Sequence, residues 1–509
     1  MSTAPLPPRP RDLERGGFGV RAEEALDPLV LALDVGSTGS RGGLFDATGT
    51  PVRGWRHKVE HEFTTAADGT SVIDPDQVVD EIARILDLVL ADPSLAGRVA
   101  GVALDTFSSS LVGVGDDGAA LTPCFTYADS RCAPQLAALR EELDETEVQQ
   151  RTGARLHTSY LAPRLRWVRE TDPGTWSRVR RWMSLGEYVH LRLLGTARAG
   201  TSVAAWTGLL DRRTGRWDEA LLAACGLEPS RLNEIADPQD PLFEVGPSAA
   251  RRWPALRGAV WFPPVADGLS ANLGSGGTGP STMVVSLATS GAVRVLLPEI
   301  PERLPTGLWC YRVDARRCLL GGALNDVGRA VQWLERTVAL PEGTTLQDVA
   351  SADVAAGTPA VLPFFTGERS TGWAGGARAV LADVTASHGG ADLARGVLEG
   401  IAVSYGRVAD QLSEAAPGIE RVVTSGGLAR EMPGMLQLLA DVLGTPVVRA
   451  DLKRATLRGT AMLALETLAV GVPAADPPQG DEHRPVAERA EHYRGARARF
   501  EELYGALVR

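Results

Sequence analysis

Alternating apolar and small polar segments near the start of the chain predict a strand, a tight turn and a second strand. Residues 29–33 form a short apolar run, residues 34–40 are rich in Gly, Ser and Thr, and residues 42–45 become apolar again. Short apolar runs on either side of turn residues are typical of a β-hairpin. We therefore expect a hairpin whose tip carries small and hydroxyl side chains.

A helix and a further strand are predicted to follow this hairpin. Between residues 74 and 90 apolar residues recur at helical spacing, and Asp74 and Pro75 suit the cap and the first helical position. Residues 100–105 form another apolar run that is typical of a buried strand. Strands that alternate with helices predict an α/β sheet.

The strand–turn–strand pattern returns in the second half of the chain. Residues 283–287 and 292–296 flank a small polar turn, and residues 422–427 lead into a predicted helix over residues 431–443. Gly and Ser crowd together at residues 274–280, which indicates a domain boundary. We expect two related α/β domains.

Four segments follow from these patterns. Residues 1–28 are rich in Pro, Arg and Gly and lack an apolar signal core, so we predict a disordered lead. Residues 29–276 and 277–472 are the predicted N-terminal and C-terminal domains. Residues 473–509 are predicted to begin as a polar linker and to continue as a charged, amphipathic surface helix.

Composition narrows the class of protein. The chain has 509 residues, with 44% hydrophobic and 23% charged residues, as expected for a soluble globular protein of two or three domains. A formal net charge of -11 argues against nucleic acid or an anionic membrane as partner, and no apolar run is long enough to span a membrane. Five cysteines without metal-ligand spacing suit a reducing compartment, so we expect a cytoplasmic protein.

The two predicted hairpins suit the binding of a polyphosphate. Small residues let backbone N–H groups approach phosphate oxygens, and phosphoryl transfer further requires a carboxylate for Mg²⁺ and a base beside the accepting hydroxyl. The sequence contains no GxxxxGK[ST] loop and no HRD or DFG triplet, so the P-loop and protein-kinase solutions are absent. We expect two such hairpins, facing each other, to hold the nucleotide between them.

Three motifs resemble a known family when they are taken in order. DVGSTGSRGGLFD, SLATSGAVRV and TSGGLAR are similar to the two phosphate motifs and the adenosine motif of the FGGY carbohydrate kinases. The resemblance extends from Leu29 to about Val470 and is strongest to the gluconate kinases. It implies two actin-like (ribonuclease-H-like) domains with an active site in the interdomain cleft. The N-terminal domain is then expected to bind the sugar, and the C-terminal domain ATP.

The resemblance also implies which residues contact ATP and Mg²⁺. Asp34 matches the aspartate that acts through Mg²⁺ on the phosphates, so it is both a nucleotide-site residue and the expected metal ligand. Ala288 stands where the family has glycine. The other expected ATP contacts are Asn325 in the segment GGALND and the hydroxyl, cationic and glycine residues of the three motifs: Ser37, Thr38, Arg41, Thr289, Ser290, Gly426 and Gly427.

Asp267 is the expected catalytic base. The segment PPVADGLSANLG matches the part of the family that carries the catalytic aspartate. A carboxylate beside a sugar hydroxyl accepts its proton as the bond to phosphorus forms. Taken alone, Asp267 before Gly268 is more typical of a helix N-cap; the family resemblance favours the base, and both roles are compatible.

Substrate contacts are expected from two segments that resemble those of the gluconate kinases. FTYADSRC supplies Tyr127, Asp129 and Arg131, and SLGEYVHLRLLG supplies Glu187. A third segment departs from its relatives, because Ser108 and Ser109 stand where many carry Met-His. Arg131 and Arg164 are the cations available for an anionic sugar acid.

Gluconate, converted to 6-phosphogluconate, is accordingly the best expectation for the substrate. A ketopentose such as xylulose, or another polyol, stays open as an alternative. From a different class, a non-catalytic actin-like nucleotide-binding protein also stays open, because the same hairpins serve proteins that transfer nothing to sugar. The expected partners are a sugar or sugar acid and ATP, and a homodimer is an open alternative.

Overall fold

The computed structural model describes residues 17–242 and 247–508, with the side chains of residues 247 and 248 excepted. Short strands and helices alternate along these ranges, as the apolar pattern predicts. The strands are β1 (Leu29–Gly36), β2 (Gly39–Phe45), β3 (Pro51–Glu60), β4 (Thr64–Thr65), β5 (Ser71–Ile73), β6 (Val99–Thr106), β7 (Val112–Val114), β8 (Cys124–Phe125), β9 (Arg181–Met183), β10 (Ala199–Gly200), β11 (Ile235–Ala236), β12 (Val260–Trp261), β13 (Val265–Ala266), β14 (Thr282–Leu287), β15 (Gly291–Leu297), β16 (Trp309–Arg312), β17 (Cys318–Leu324), β18 (Ala360–Leu362), β19 (Val380–Ala382), β20 (Arg421–Ser425), β21 (Val447–Ala450) and β22 (Gln479–His483). The helices are α1 (Pro75–Val89), α2 (Ala133–Glu142), α3 (Glu145–Thr152), α4 (Leu161–Thr171), α5 (Pro173–Arg178), α6 (Leu185–Leu194), α7 (Thr201–Trp206), α8 (Glu219–Cys225), α9 (Pro247–Arg252), α10 (Asp267–Gly274), α11 (Gly328–Thr337), α12 (Leu346–Ser351), α13 (Gly390–Ala415), α14 (Gly427–Glu431), α15 (Gly434–Leu443), α16 (Ala455–Leu468) and α17 (Ala490–Leu507).

The first compact unit is built on a sheet in which three antiparallel strands continue into parallel ones. The order is β3-β2-β1-β6, with β12 and β13 both pairing with β6. β1, β6, β12 and β13 run parallel, so their carboxyl ends meet at one edge of the sheet. Both faces of β1 and β6 are buried, which explains their nearly uninterrupted apolar sequences.

The second compact unit repeats this strand order. Its sheet runs β17-β15-β14-β20-β21, with β16 and β22 added at the two edges. β14 and β15 form the antiparallel hairpin, and β14, β20 and β21 run parallel. The repeat confirms the prediction of two related α/β domains.

The two compact units differ from the predicted domains in the assignment of short segments of the chain. Unit 1 comprises residues 1–144, 156–274 and 453–477, and unit 2 comprises residues 145–155, 275–452 and 478–509. The chain thus returns to unit 1 near its end, and α16 packs on the first sheet beside α10. The division falls at Gly274, close to the predicted boundary, but residues 453–477 differ from the predicted assignment.

Helices α10 and α16 pack with their backbones in close contact because both carry glycine where they meet. A Cβ atom on Gly459 would lie 1.8 Å from the carbonyl oxygen of Ser270, and one on Gly274 would lie 1.7 Å from that of Ala455. Only a residue without Cβ fits at such positions. This packing fixes α10, whose first residue is Asp267.

Several predicted boundaries change in the structure. The helix expected over residues 431–443 begins only at Gly434, as α15, and Met432 and Pro433 separate it from α14, which ends at Glu431. A proline here lacks the N–H that a continuous helix would need. Part of the expected linker forms β22, which pairs with β21. α17 is more than a surface helix, because its Tyr493, Phe500 and Leu503 belong to the core of unit 2.

The predicted disordered lead falls in two parts. Residues 1–16 lie outside the described residues. In the remainder, Val20 pairs with Val52 and Ala25 is buried, so the ordered chain begins before Leu29. Within the described ranges, no helix is both long and apolar enough to cross a membrane.

Candidate active site

Three aspartates lie at the carboxyl ends of neighbouring parallel strands in unit 1. Asp34 near the end of β1 is in register with Asp105 near the end of β6. β13 pairs with β6 through Ala266 and Thr106, and Asp267 follows β13 directly. The parallel topology therefore brings together side chains that are 71 and 162 residues apart in sequence.

The charges at these strand ends interact strongly. Burial raises the pKa of Asp34 to about 6; Arg41 opposes this shift, and the charge of Asp267 adds to it. The Arg41 Nη1 donates a hydrogen bond to Asp34 Oδ2 at 3.2 Å. Burial and then the charge of Asp34 raise the pKa of Asp105 well above its ordinary value. The neutral form of Asp105 is thereby favoured next to Asp34.

Asp267 is held at the start of α10 by two donors. The Ser108 hydroxyl donates to Asp267 Oδ1 at 3.0 Å, and the amide of Gly268 donates to the same oxygen at 2.7 Å. Hydrogen bonds to a carboxylate favour its ionised form, which is the form that accepts a proton. The helix-start role and a catalytic role are therefore both compatible with this geometry.

The first hairpin presents hydroxyl groups at its tip. Gly36 pairs with Gly39, which leaves Ser37 and Thr38 as a two-residue turn, and both of these residues are exposed. The turn is thus shorter than the polar segment suggested, because Asp34 and Arg41 belong to the strands. Exposed hydroxyls and a backbone free of bulky side chains suit the approach of phosphate oxygens.

The ATP-site residues expected in the second domain gather at one edge of its sheet. Thr289 and Ser290 are exposed in the turn between β14 and β15. Asn325 follows β17, and its side-chain amide donates to the carbonyl of Gly367 at 3.0 Å. Gly426 and Gly427 follow β20, which runs parallel to β14. The structure thus places all five residues on neighbouring strand ends of unit 2.

Gly426 is required by the backbone at this edge. Its φ angle is 105°, and a Cβ atom would lie 2.1 Å from the carbonyl oxygen of Leu287. Leu287 ends β14, immediately before the exposed turn. Any larger residue at position 426 would therefore displace the second hairpin.

Four residues that the sequence suggested for substrate contacts are occupied by structural bonds. Both oxygens of Glu187 accept bonds, from the amides of Ser184 and Asn233. Asp129 is buried and accepts from Arg131 at 2.6 Å and from the backbone of Ser71. We exclude Glu187 and Asp129, together with the residues described next, from the proposed substrate contacts.

The other two occupied residues are Ser109 and Arg164. The Ser109 hydroxyl donates to the carbonyl of Trp206 at 2.6 Å. Arg164 is fully buried and donates to the carbonyls of Ser109 and Thr158, so its guanidinium is unavailable to an anionic sugar acid. A local sequence pattern does not show whether a side chain is buried or already hydrogen-bonded.

Ser108, Tyr127 and Arg131 remain as substrate candidates. Tyr127 is 42% exposed, and burial and the charge of Asp267 raise its pKa, while a bond with Ser37 lowers it. Arg131 is partly exposed and stacks over the ring of Trp167, 4.4 Å from its centroid. Ser108 and Tyr127 therefore lie close to Asp267.

Asp105 was missed by the sequence reasoning. It ends an apolar run and is in register with Asp34, so an acidic residue at that strand end was the available signal. Thr460 of α16 donates to Asp105 at 2.5 Å. No sequence pattern indicates Thr460, because it lies 355 residues from Asp105 in the chain and none of the three sequence motifs includes α16.

Mg²⁺ fits this set of oxygen donors. Within the described ranges, no group of three or more His, Cys, Asp or Glu side chains is arranged to hold a metal ion by itself. Mg²⁺ usually takes one or two carboxylates and completes its coordination with water and substrate phosphates. Asp34 therefore suits an ion that arrives with a nucleotide.

A strand order that occurs twice, each time with a small-residue hairpin at the strand ends, is the pattern of a two-domain actin-like fold. The chain belongs to the FGGY family of carbohydrate kinases. Residues 29–274 match the N-terminal domain of that family, and residues 275–467 match its C-terminal domain. It is thus a carbohydrate kinase with ATP as phosphate donor, and the non-catalytic alternative is set aside.

Individual relatives carry several substrate names. Gluconokinase of Bacillus subtilis (strain 168) is 23% identical over 449 residues, which cover 86% of this chain and 87% of that protein. Xylulose kinase of Lactococcus lactis subsp. lactis (strain IL1403) is 24% identical over 441 residues, with coverage of 86% and 87%. Family membership therefore fixes the reaction class and leaves the sugar open.

A solved structure confirms the fold. The crystal structure of gluconate kinase from Lactobacillus acidophilus matches with a TM-score of 0.86 at 24% identity, over 94% of this chain and 98% of that one. This likeness bears out the expected pair of actin-like (ribonuclease-H-like) domains.

Proposed function

We propose that the protein transfers the terminal phosphoryl group of ATP to a hydroxyl of gluconate, with Asp267 as the base. The observation that carries this proposal is the position of Asp267, at the end of β13 beside Asp34 and bonded by Ser108. The Asp267 carboxylate takes the proton of the accepting hydroxyl as that oxygen bonds to phosphorus. Ser108 orients the carboxylate for this step.

Asp34 and the first hairpin serve the phosphates in this proposal. Asp34 would hold Mg²⁺, which supplies positive charge to the phosphate oxygens. The hydroxyls and backbone amides of Ser37 and Thr38 bind phosphate oxygens, and Arg41, which donates to Asp34, opposes the rise in the pKa of that carboxyl. Thr289, Ser290, Asn325, Gly426 and Gly427 are proposed to contact the nucleotide from unit 2.

Gluconate is supported by the gluconokinases among the relatives, and Arg131 is the cation proposed for its carboxylate. One observation favours a ketopentose such as xylulose as the second candidate. Arg164 is buried, and Arg131 already donates to Asp129 at 2.6 Å, so much of its charge is balanced within the protein. A neutral sugar needs no cation.

A panel of acceptors distinguishes the two candidates. We expect ADP release that depends on acceptor, measured with a coupled assay over gluconate, xylulose, ribulose, fuculose, rhamnulose, erythritol and glycerol. Gluconate should give the highest kcat/KM and yield 6-phosphogluconate. Preference for xylulose would replace gluconate by the second candidate, and ADP release that ignores every acceptor would contradict the proposal. The Asp267→Asn protein serves as the blank.

A further inference from the structure

A buried histidine and glutamate lie directly behind the first hairpin. His61 follows β3, and Glu81 lies in α1, with the side chains 0% and 6% exposed. The His61 Nδ1 is 2.8 Å from Glu81 Oε2, and its Nε2 donates to the carbonyl oxygen of Gly36 at 2.9 Å. A backbone carbonyl only accepts, so Nε2 carries the proton of that bond.

Glu81 extends the same network to the other side of the turn. The Ser40 hydroxyl donates to Glu81 Oε2 at 2.7 Å, and the Gln77 side chain donates to Oε1 at 2.9 Å. Burial alone would raise the pKa of Glu81, but the bonds from His61, Ser40 and Gln77 outweigh burial and hold the pKa below its ordinary value. The carboxylate is thus charged and fully bonded.

The network forms hydrogen bonds on both sides of the turn at Ser37 and Thr38. Gly36 directly precedes Ser37, and Ser40 lies two positions after Thr38. His61 binds the incoming backbone, and Glu81 binds the outgoing side chain. The exposed turn is therefore held on one side by His61, which follows β3, and on the other side by Glu81 of α1.

Stability alone is a poor explanation for this arrangement. A buried polar network that contains a carboxylate is expensive to desolvate, and apolar residues of similar volume are often at least as stabilising. A polar network gains its value by fixing one geometry, and a site for a reacting group requires that its supports be held in place. The pair lies where a small shift of Gly36 would move Ser37 and Thr38.

We propose that His61 and Glu81 are positioning residues that hold the first hairpin in the geometry that binds the phosphates of ATP. The inference rests on the proposed function, in which this hairpin contacts ATP. Neither side chain touches the nucleotide. Loss of the pair should weaken nucleotide binding and leave the acceptor site intact.

Glu81→Gln tests the inference most closely, because it keeps the volume and removes the charge. We expect its KM for ATP to rise ~10-fold, as for a misplaced contact, while the KM for the acceptor stays unchanged. The dissociation constant for ADP, measured by calorimetry without acceptor, should rise by a similar factor. That readout needs no turnover, so it stands even if none of the acceptors is a substrate.

His61 offers a graded pair of variants. Leucine cannot donate to the Gly36 carbonyl, whereas the amide of glutamine can. His61→Leu should therefore weaken ADP binding more than His61→Gln does. Equal ADP affinities in these two variants would contradict a role through the Gly36 carbonyl.

Glu399→Gln is the matched control. Glu399 is a buried glutamate in α13 of unit 2 that pairs with His492 at 3.0 Å and Arg395 at 2.7 Å. Its loss should lower the melting temperature and leave the affinity for ADP unchanged. Unchanged ADP affinity in folded Glu81→Gln, or an equal loss in the Glu399→Gln control, would overturn the inference.

Discussion

At the scale of single residues, burial separates three chemically identical carboxyl groups. Asp105 is fully buried and its pKa is raised well above its ordinary value, burial raises the pKa of Asp34 to about 6 against the opposing effect of Arg41, and Asp267 is partly exposed and bonded by Ser108. Only a carboxylate that faces the substrate in ionised form can take a proton from it. Among the three, we propose Asp267 for that role, because it is the least buried.

His190 provides a test of the buried environment in unit 1. It is fully buried against the edge of Trp261, and neither ring nitrogen has a hydrogen-bond partner among the described residues. Burial lowers the pKa of His190 to about 4, from an ordinary value of 6.5. Between pH 6.5 and about 4, the unfolded chain therefore binds a proton at His190 that the folded protein does not bind.

Stability should accordingly fall as the pH drops from 6.5 to 4, and His190→Leu should remove this loss. The loss is on the order of 3 kcal/mol of unfolding free energy and is absent above pH 6.5, where both states are neutral. Chemical denaturation of both proteins at pH 7.5, 6, 5 and 4.5 measures it. A stability difference that does not change with pH would contradict the neutral, buried state of His190.

Several side chains show why residue roles are hard to read from sequence. Glu187 and Asp129 have the chemistry to bind sugar hydroxyls, and only the structure shows that their oxygens are already bonded. Arg164 likewise has the charge for a sugar acid but is buried. Ser37 and Thr38, by contrast, could be placed correctly, because a turn between two strands exposes its residues whatever lies around it.

At the scale of elements, the hairpins and α1 followed from local patterns. Asp74 caps α1 by accepting from the amide of Asp76, and Pro75 opens the helix, as predicted. The pairing of β22 with β21 did not follow, because it depends on a strand edge that lies elsewhere in the chain, whereas the break at Pro433 had a local signal in the proline itself. The contact between α10 and α16 likewise could not be predicted from local sequence patterns.

That contact gives a prediction with a matched control. Gly459→Ala would place a Cβ atom 1.8 Å from the carbonyl of Ser270, so α10 and α16 must separate and the protein should lose a few kcal/mol of unfolding free energy. Gly495→Ala, in the exposed part of α17 with no atom within 4 Å of its Cβ, should instead gain about 0.5–1 kcal/mol.

Turnover distinguishes the two glycine variants further. Because α10 begins with Asp267, Gly459→Ala should also lower kcat, whereas Gly495→Ala should not. Thermal unfolding and ADP release on the same preparations measure both effects. A Gly459→Ala protein as stable and active as the wild type would contradict the close helix contact.

At the scale of the whole molecule, one strand order is used twice for different tasks. The first sheet places carboxylates at its strand ends, and the second places hydroxyls and glycines at the corresponding ends. The order of motifs along the chain reveals the two repeats. The return of residues 453–477 to unit 1 is not visible in that order, because it depends on packing between α16 and α10.

The central claim is that Asp267 acts as the base of a carbohydrate kinase, and Asp267→Asn tests it most directly. Asparagine keeps the shape and cannot accept the proton. Asp218→Asn is the matched control, since Asp218 is a buried aspartate at the start of α8 that accepts a backbone bond from Leu221 at 2.8 Å. Its loss should cost stability and leave turnover in place.

The measurement is acceptor-dependent ADP release at saturating ATP and acceptor, together with the dissociation constant for ATP. For Asp267→Asn we expect a loss of about 10²–10⁴-fold in turnover with ATP affinity unchanged. Near-normal turnover combined with weakened ATP binding would contradict it.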